Sequence, residues 1–484
     1  MIDLLFIDIP TFKRVIPKRY QTIISAKLAL GSLRETRSLA SPDYAPSKFY
    51  SPGVLSMAGV LERANFKIGY FSWSSGTLAE LREVLAKTKN VAVASYTATI
   101  NDAIDLCDFV KSANPQIKTI LGGHHATARD VTTITRSPSI DIVIRGEGEY
   151  VLLDLLCRPT HLPSVDGITY RDALGNIRRN RDREDTVEVC KLPMPAYHLL
   201  GDNIGEYAHN ISSGRGCPYN CKFCAEGAFF HGIRRKTPSQ VIAELSYLDS
   251  RLPPGAHVFM NDSTYLIDSE WTAELCQRIR QSNINLWISC NIRPETVTAE
   301  ILRDIQQSRF STVCVGFEDG NDEIRRKAGK TCSFDELCKA CKVIRETGNL
   351  MINAYWMTGL PGSTLSSVRE NIQKAEFLIH ENLVDDIHNK IFVPYPGTNI
   401  GDTPEIFDLD ILTKDWSKYD RLSFPVYRLR NMTEQQIYRS FWRMEICLIT
   451  SLMKREGLCG KDLAHIASKP YFKYIIDNYV HKEG

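Results

Sequence analysis

The stretch Ser213-Gly-Arg-Gly-Cys217-Pro-Tyr-Asn-Cys221-Lys-Phe-Cys224-Ala-Glu-Gly227 decides how the rest of the chain is interpreted. It places three of the chain's 14 cysteines in a C-x3-C-x2-C spacing on a glycine-rich loop. Thiolates are soft ligands that suit iron–sulfur clusters, and this close spacing lets three sulfurs converge on one cubane. A fourth iron then lacks a protein ligand, and an open metal position is typical of a catalytic site. The alternative is a zinc site, for which His209 and His231 are the candidate fourth ligands.

Apolar runs that begin at residue 209 alternate with helix-period stretches along the second half of the chain. The predicted strands are His209–Ser213, His257–Asn261, Leu286–Cys290, Thr312–Gly316, Met351–Met357 and Ile387–Val393. The predicted helices are Pro238–Ser250, Glu270–Ser282, Ala299–Gln307, Phe334–Glu346 and Ser363–His380. Strands that alternate with helices in this way predict an incomplete (βα) barrel, with the cysteine loop directly after its first strand.

The first 150 residues contain an earlier alternation of the same kind. Apolar runs fall at Leu4–Ile9, Ile68–Phe71, Val91–Ser95, Ile117–Leu121 and Ile140–Ile144. This alternation predicts a Rossmann-like α/β domain with a doubly wound parallel sheet. Glycine-rich turns follow two of the strands, at Gly122-Gly123-His124 and at Gly146-Glu147. Ligands bind at the carboxyl ends of such strands, although tight turns without a ligand have the same pattern.

These patterns divide the chain into four parts. We expect a Rossmann-like domain over residues 1–165, a linker with a small hairpin over 166–204, a barrel over 205–400, and a small, mostly helical region over 401–484. The charged run Arg178–Asp185 is typical of a solvated linker. One long helix is predicted in the last part, at Glu434–Lys454.

Composition excludes several classes of protein. Hydrophobic residues make up 43% and charged residues 24% of the 484 positions, which is ordinary globular usage. Lysine and arginine number 59 against 57 aspartates and glutamates, so no strong field attracts nucleic acid or an anionic membrane. No run of about 18 apolar residues occurs, and the N-terminus lacks a basic leader, so we expect a cytoplasmic protein with reduced cysteines. Cys338 and Cys341, three positions apart on a predicted helix, are expected to pack in the core.

The cysteine loop at the start of a predicted partial barrel resembles the radical S-adenosylmethionine (SAM) superfamily. The match includes Phe223, immediately before the last cysteine. The resemblance implies a partial (βα)6 barrel and a [4Fe–4S] cluster held by Cys217, Cys221 and Cys224. It also implies that SAM chelates the open iron and is cleaved to a 5′-deoxyadenosyl radical, which abstracts a hydrogen atom from the substrate.

Two later strand ends resemble SAM-binding segments of the same superfamily. Glu318, in Val315-Gly-Phe-Glu-Asp-Gly320, matches a carboxylate that accepts hydrogen bonds from the SAM ribose. Asn261 and Asp262 end the second barrel strand, where the superfamily contacts the methionyl amine of SAM. The usual two glycines and glutamate of that segment are missing from this sequence.

The third strand and two turns complete the implied SAM site. Ser289 lies on the third strand, and Arg293 follows it, placed either for a bidentate bond to the SAM carboxylate or for a surface salt bridge. Gly359 and Pro361 belong to a G-L-P-G turn that resembles one from the same superfamily. Together with the turn Pro394–Thr398, this turn is expected to shape the barrel mouth.

The N-terminal domain, placed before the barrel, resembles that of the cobalamin-binding subgroup of the superfamily. The residues implied at that cofactor are Gly122, Gly123, His124, Gly146 and Glu147. The chain has no D-x-H-x-x-G run, the motif by which many cobalamin domains supply a histidine to cobalt. Members without this motif often bind cobalamin with no protein histidine on the metal, and some members bind none.

Two reactions are consistent with the resemblance. The first is cobalamin-dependent methylation of carbon in a small natural-product or sugar-type substrate. The alternative is cobalamin-independent dehydration or rearrangement of an aminoglycoside-like sugar. Acid–base candidates at the barrel mouth are Glu226, His231 and Asp262. Flavodoxin or ferredoxin is the expected reductant, whereas a protein that only stores a cluster would need a fourth ligand and no SAM site.

Overall fold

The computed structural model describes residues 1–9, 48–73 and 76–458, and in addition residues 14–15, 27, 30, 46 and 480–481. Two large sheets dominate the described part, and they confirm the predicted α/β class with a Rossmann-like sheet before a partial barrel. The short strand β2 (Arg14–Val15) pairs with β19 (Val480–His481). None of the described helices is both long enough and apolar enough to cross a membrane.

The N-terminal sheet has seven strands in the order β3-β1-β4-β5-β6-β7-β8. They are β1 (Ile2–Asp8), β3 (Ile68–Ser72), β4 (Thr88–Ala94), β5 (Lys118–Gly122), β6 (Ile142–Ile144), β7 (Ile168–Arg171) and β8 (Ile177–Arg179). The first five strands in the order are parallel. Both faces of β1 are buried, so Leu5 and Ile7 pack on one side while Leu4 and Phe6 pack on the other.

Helices cover both faces of this sheet. They are Pro52–Arg63, Leu78–Leu85, Ile100–Ala113, His124–Ala128, Asp130–Thr135 and Gly148–Cys157. Local chemistry explains where they begin. A proline opens the first helix, and the second begins at a capping box in which Thr77 and Glu80 bond each other's backbone amides.

The strand order reverses between β1 and β4. The chain passes from β1 to β3 on one side and then crosses to β4 on the other side. In sheets with this order, ligands bind in the crevice outside the carboxyl ends of the strands at the reversal. The two strands that border this crevice end at Asp8 and Ala94.

The hairpin predicted within residues 166–204 extends the N-terminal sheet. β7 pairs antiparallel with β6, and β8 pairs antiparallel with β7. The buried Arg145 guanidinium donates to the Thr169 hydroxyl at 2.6 Å and to the Asp182 carboxylate at 2.7 Å. Without the hairpin, β6 would be the edge strand of the sheet. β7 therefore pairs with backbone N–H and C=O groups of β6 that would otherwise be exposed.

The barrel sheet has six parallel strands in the order β16-β15-β14-β13-β12-β9. They are β9 (His209–Ile211), β12 (His257–Met260), β13 (Trp287–Ile292), β14 (Phe310–Glu318), β15 (Met351–Thr358) and β16 (Asp386–Ile391). β9 and β16 lie at opposite edges, which confirms the predicted partial barrel. A short antiparallel ribbon joins β10 (Gly214–Arg215) to β11 (Arg234–Arg235).

Helices pack on the outside of the barrel and against its end. They are Glu226–Phe229, Pro238–Asp249, Ser269–Gln281, Ala299–Gln306, Asp322–Lys327, Phe334–Thr347, Leu365–His380, Asn399–Asp402 and Glu434–Glu456. The five predicted barrel helices are among them, and Cys341 is buried in the barrel core as expected, with Cys338 packed against it. In the C-terminal region, β17 (Leu409–Ile411) pairs with β18 (Tyr427–Leu429). The Tyr427 hydroxyl donates to the Gly359 carbonyl at 2.6 Å and so ties this region to a turn of the barrel.

Candidate active site between the sheet and the barrel mouth

The cysteine loop leaves the barrel after β9 and returns through the β10–β11 ribbon. Its middle is held by two other segments. The Lys222 amide donates to the Ala328 carbonyl at 2.9 Å, and the Lys222 carbonyl accepts from the Ile400 amide at 3.1 Å. Backbone bonds to both sides of the barrel therefore fix the position of the loop at its cysteines.

The three thiols of the loop form a donor set that fits an iron–sulfur cluster. Cys217 and Cys221 are half-buried and Cys224 is exposed. Burial raises the pKa of the Cys217 thiol. Within the described ranges, no three His, Cys, Asp or Glu side chains are arranged to hold a single metal ion. A cubane binds each cysteine through a different iron, so its ligands stand farther apart than those of one ion.

The two histidines considered as zinc ligands lie elsewhere or are already bonded. The Nδ1 atom of His209 lies 3.2 Å from the Tyr50 hydroxyl, and its Nε2 lies 2.9 Å from the Ile204 carbonyl. Burial lowers the pKa of His209 to about 4, so the ring is neutral near pH 7. His231 is exposed to solvent. The contacts of His209 disfavour zinc, and His231, predicted as a catalytic residue, is not among the residues that line the cavity described below.

Asp262, predicted as a catalytic and SAM-binding residue, is hydrogen-bonded through its carboxylate to the start of the cysteine loop. Its carboxylate accepts hydrogen bonds from the Ser213 hydroxyl and from the Gly214 amide at 2.6 Å. Burial raises the pKa of Asp262, although the Ser213 bond opposes this effect. The contacts favour a positioning role for Asp262, because it orients the strand that leads into the cysteines.

Glu318 lies at the end of β14 in the left-handed region, with φ of 65°. The register of β14 against β15 shifts between Gly316 and Glu318, and the side chain folds back over the strand. A Cβ at Gly316 would lie 2.5 Å from Glu318 Oε1, which explains the glycine two positions earlier. The carboxylate pairs with Lys330 Nζ at 2.9 Å. Strained backbone of this kind is typical of functional sites, where the surrounding structure holds it.

The other residues predicted at SAM occupy different surroundings. Asn261 is exposed and lines the cavity, whereas Ser289 is buried on β13 and Phe223 packs against the barrel core. Gly359 and Pro361 form a buried turn that packs beneath Tyr427 and the C-terminal region. Their position supports a structural role for this turn.

Arg293 follows β13 and lies against the cysteine loop. Its guanidinium pairs with Glu295 at 2.7 Å and stacks on the Tyr219 ring, with Cζ 3.5 Å from the ring centroid. Nη1 lies 3.6 Å from Cys221 Sγ. Arg293 therefore contacts the cysteine loop, and it forms a salt bridge, as one of its two predicted roles requires, although the arginine is buried.

A cavity of about 480 Å³ lies between the carboxyl edge of the N-terminal sheet and the barrel mouth. It is lined by all five residues predicted at cobalamin, namely Gly122, Gly123, His124, Gly146 and Glu147. From the barrel it contains Ser212, Arg215, Glu226, Asn261, Ser263 and Asn291. The structure thus brings the residues predicted at cobalamin into one cavity with Asn261 and Glu226 of the barrel. The other residues predicted at SAM do not line this cavity.

Two glycines of the N-terminal sheet shape this cavity in different ways. Gly123 has φ of 116°, and a Cβ there would overlap the Ser95 carbonyl, so the position requires glycine for backbone packing. Gly146 has φ of 69°, and a Cβ built there has no atom within 4 Å. Space that a side chain would fill is therefore left open beside Gly146.

His124 lies between two aromatic rings at the edge of the cavity. Its ring is stacked 4.1 Å from Phe229 and 6.1 Å from Tyr96, measured between centroids. Burial lowers the pKa of His124 to about 4, so the ring is neutral at neutral pH. Phe229 belongs to the short helix that follows the cysteines, so this stack joins the N-terminal sheet to the cysteine loop.

A second connection between the domains was not predicted from the sequence. We call Glu147, Glu149, Arg215 and Arg234 the interdomain charge cluster. Glu147 accepts from Arg215 at 2.6 Å and from Arg234 at 2.7 Å, and Arg215 also pairs with Glu149. Burial alone would raise the pKa of Glu149, but the Arg215 guanidinium outweighs it and holds this pKa below its usual value. The carboxylate of Glu147, predicted to bind a cofactor, is thus ion-paired with two guanidinium groups.

One side chain of the cavity wall keeps an unbonded acceptor. Asn291, at the end of β13, donates through Nδ2 to the Asp262 carbonyl at 3.0 Å. Its Oδ1 is buried and has no hydrogen-bond partner among the residues that the structure describes. Buried polar atoms are normally bonded, so an acceptor of this kind points to a bound group with a donor.

Comparison with known protein families agrees with this geometry. Residues 211–375 match the radical SAM superfamily, and residues 44–156 match the B12 binding domain. These matches confirm the expected cofactors, because a radical SAM domain takes a [4Fe–4S] cluster and SAM, and a B12-binding domain takes cobalamin. They also confirm that the chain is an enzyme of the radical SAM type.

Individual relatives and solved structures are similar to this chain over most of its length. An uncharacterized methyltransferase of Pyrococcus horikoshii, PH0819, is 26% identical over 404 residues, which are 80% of this chain and 86% of the relative. The structure of OxsB with aqua-cobalamin and SAM has a TM-score of 0.63 at 15% identity, and covers 95% of this chain and 62% of OxsB. The structure of TsrM from Kitasatospora setae with cobalamin and a [4Fe–4S] cluster has a TM-score of 0.61 at 15% identity, and covers 91% of this chain and 82% of TsrM.

The cysteine loop, the cavity shared by sheet and barrel, and both family matches lead to one assignment. The chain contains a radical SAM domain preceded by a B12-binding domain, the two domains that the sequence resemblance implies.

Proposed function

We propose that this protein is a cobalamin-dependent radical SAM methyltransferase that acts on a small molecule. The observation that carries the proposal is the single cavity of about 480 Å³, lined both by the carboxyl edge of the N-terminal sheet and by the barrel mouth. Transfer of a methyl group from cobalamin to a substrate radical requires both cofactors to face one substrate. A shared cavity supplies that arrangement, whereas two separate pockets would not.

The cysteine loop carries the proposed cluster through Cys217, Cys221 and Cys224. The Glu318 carboxylate and the unbonded Oδ1 of Asn291 offer acceptors for the hydroxyl and amine donors of SAM. When bound, these cofactors supply a 5′-deoxyadenosyl radical for hydrogen abstraction and a methyl group for transfer.

The residues of the N-terminal edge that would hold cobalamin carry no unpaired charge. Glycines leave open space at Gly146, and His124 is held neutral between two aromatic rings. The Glu147 and Glu149 carboxylates are occupied by arginines. This supports binding of cobalamin through shape and backbone contacts, in agreement with the lack of a D-x-H-x-x-G run.

The supporting relatives favour methyl transfer. The names of PH0819 and TsrM both describe a methyltransferase, and TsrM was solved with cobalamin and a cluster bound. The small-molecule substrate is supported by the volume of the cavity, about 480 Å³, and flavodoxin or ferredoxin remains the proposed reductant.

Radical dehydration or rearrangement is the second candidate, favoured by one observation. Glu226 begins the helix after Cys224 and lines the cavity, where a carboxylate can accept or donate a proton during loss of a neighbouring hydroxyl group. Methyl transfer from cobalamin does not require this group. The similarity to OxsB shows a shared fold and does not choose between the reactions.

The test is anaerobic purification with hydroxocobalamin, followed by cobalt and iron analysis and incubation with SAM, a reductant and candidate substrates. Methyl transfer predicts stoichiometric cobalt beside about four irons, with formation of S-adenosylhomocysteine, 5′-deoxyadenosine and a product heavier by one methyl group. Iron without cobalt, with 5′-deoxyadenosine but no methylated product, would favour dehydration or rearrangement.

A further inference from the structure

We infer that Arg293 sets the reduction potential of the cluster by donating a hydrogen bond to the thiolate of Cys221. The inference rests on the proposed function in one respect, namely that the three cysteines of the loop hold a [4Fe–4S] cluster. It assigns to Arg293 a role in positioning the loop and adjusting its electrostatics, in place of a direct bond to SAM.

The hydrogen-bond donors of Arg293 are divided between two partners. Nε and Nη2 bond the two carboxylate oxygens of Glu295 at 3.2 and 2.7 Å. Nη1 is directed at Cys221 Sγ at 3.6 Å. Because the bidentate edge of the guanidinium is occupied by Glu295, it is not free to bind the SAM carboxylate in the same way.

The guanidinium is also fixed in its plane. It stacks on the Tyr219 ring at 3.5 Å, and Tyr219 lies two residues before Cys221 on the same loop. The Arg293 side chain is only 8% exposed, so water competes little with the bond to sulfur. The stack and the pair with Glu295 together hold Nη1 toward the thiolate.

Of the two cations close to Tyr219, Arg293 is the one with an N–H directed at the Cys221 sulfur. Glu295 balances part of its charge, and although burial opposes this, Arg293 lowers the pKa of Glu295. Lys330, the other cation close to Tyr219, is paired with Glu318. The Cys332 thiol also lies near this group, and burial raises its pKa to about 11, so it carries no charge at neutral pH.

Reduction of a [4Fe–4S] cluster adds one electron from an external one-electron donor and no proton. The added negative charge lies on the irons and sulfurs, so an N–H donor and a positive charge at a ligand sulfur stabilise the reduced form more than the oxidised form. Arg293 is protonated throughout, so it acts as a fixed charge. Its loss should make the cluster harder to reduce.

The experiment measures the midpoint potential of the reconstituted full chain, without SAM, by following the paramagnetic signal of the reduced cluster at poised potentials. Arg293→Met removes both the charge and the donor, and we expect the ratio of reduced to oxidised cluster to fall about tenfold at a given potential, which is about 59 mV toward more negative values. Arg293→Lys keeps a charge without the planar geometry and should shift the potential less.

Glu295→Gln distinguishes an electrostatic role of Arg293 from a merely structural one by the direction in which the midpoint potential moves. It removes the balancing negative charge while Arg293 stays in place, so the potential should move to less negative values. Loosening of the loop would move both variants in the same direction. Arg278→Met, at an exposed pair with Glu274 on the helix Ser269–Gln281, is the matched control and should leave the potential unchanged.

Iron content separates failure of this inference from failure of the proposed function. A wild-type chain that holds no cluster would overturn both. A full cluster in the Arg293 and Glu295 variants, with potentials equal to wild type, would overturn only the role of Arg293. If Arg293→Met loses its cluster, then Arg293→Lys and Glu295→Gln decide: opposite shifts support the inference, and unchanged potentials refute it.

Discussion

Arg215→Met is the perturbation that tests the interdomain charge cluster most directly. The side chain pairs with Glu147 at 2.6 Å and with Glu149, whose carboxylate is only 3% exposed. Methionine keeps the volume and removes the charge, so Glu149 is left buried with the Ser56 hydroxyl, at 2.7 Å, as a neutral donor. Removing one partner of a buried ion pair costs about 3–5 kcal/mol, because the remaining charge is uncompensated.

The pH dependence has a definite sign. In the wild type, the pKa of Glu149 is held below its usual value of 4.5, so its contribution to stability is present above that value and is lost as pH falls through the folded pKa. In Arg215→Met, burial acts without the guanidinium and raises the pKa of Glu149 instead. Protonation then relieves the buried charge, so the variant should approach wild-type stability as the pH falls from 8 toward about 5.

The assay is the thermal midpoint of the full chain at several pH values, by circular dichroism. At pH 8 we expect a Tm lower than wild type by about 3–5 °C, because an unfolding entropy of about 2.1 cal/mol/K per residue gives about 1 °C per kcal/mol for a chain of this length. Arg278→Met, at an exposed i,i+4 pair, should change Tm by about one degree or less. The reasoning is refuted if Arg215→Met behaves like this control at pH 8, or if its deficit does not shrink on acidification.

Three further outcomes are expected. Replacing Cys217, Cys221 and Cys224 with alanine should abolish iron binding and the visible iron–sulfur absorbance. Tm should stay near the wild-type value, because the thiols lie on a loop outside the core. A variant that retains iron would contradict the assignment. Gly146→Ala should weaken cobalamin binding at least several-fold in a spectroscopic titration, whereas Gly175→Ala, an equally open positive-φ glycine in the β7–β8 turn, should not. Phe229→Ala exposes one face of His124, so the pKa of that ring should rise from about 4 toward 6.5 in an NMR titration, and an unchanged value would show that burial comes from elsewhere.

The elements of this fold follow well from local sequence pattern. Buried parallel strands are continuous apolar runs, as at Leu4–Ile9 and Val91–Ser95, and their positions are confirmed because both faces of each strand are covered. The cysteine loop is recognisable for a similar reason, since its three ligands are close in sequence. Contacts made within one segment are therefore visible in the sequence.

Contacts between distant segments were not predicted. Residues in the charged run after β8 bind Arg145, and the sequence pattern alone is typical of a solvated linker. Glu147 and Arg215 are 68 positions apart and meet only when the two domains pack together. Asp262 and Arg293 have the residue types of ligand-binding groups, but their partners are the cysteine loop itself. Residue type indicated the region of the site, and only the packing could indicate each role.

The interdomain charge cluster has a consequence for how such proteins diverge and can be recombined. Arg215 is encoded with the barrel, two positions before the first cysteine, while its carboxylates are encoded with the sheet. A chimera that takes residues 1–204 from another protein would therefore keep a buried cation and lose its counterions, unless the donor supplies two acidic side chains in the matching turn. Exchange of either half is constrained to parents that share this pairing, and substitutions at the two glutamates and the arginine should be inherited together.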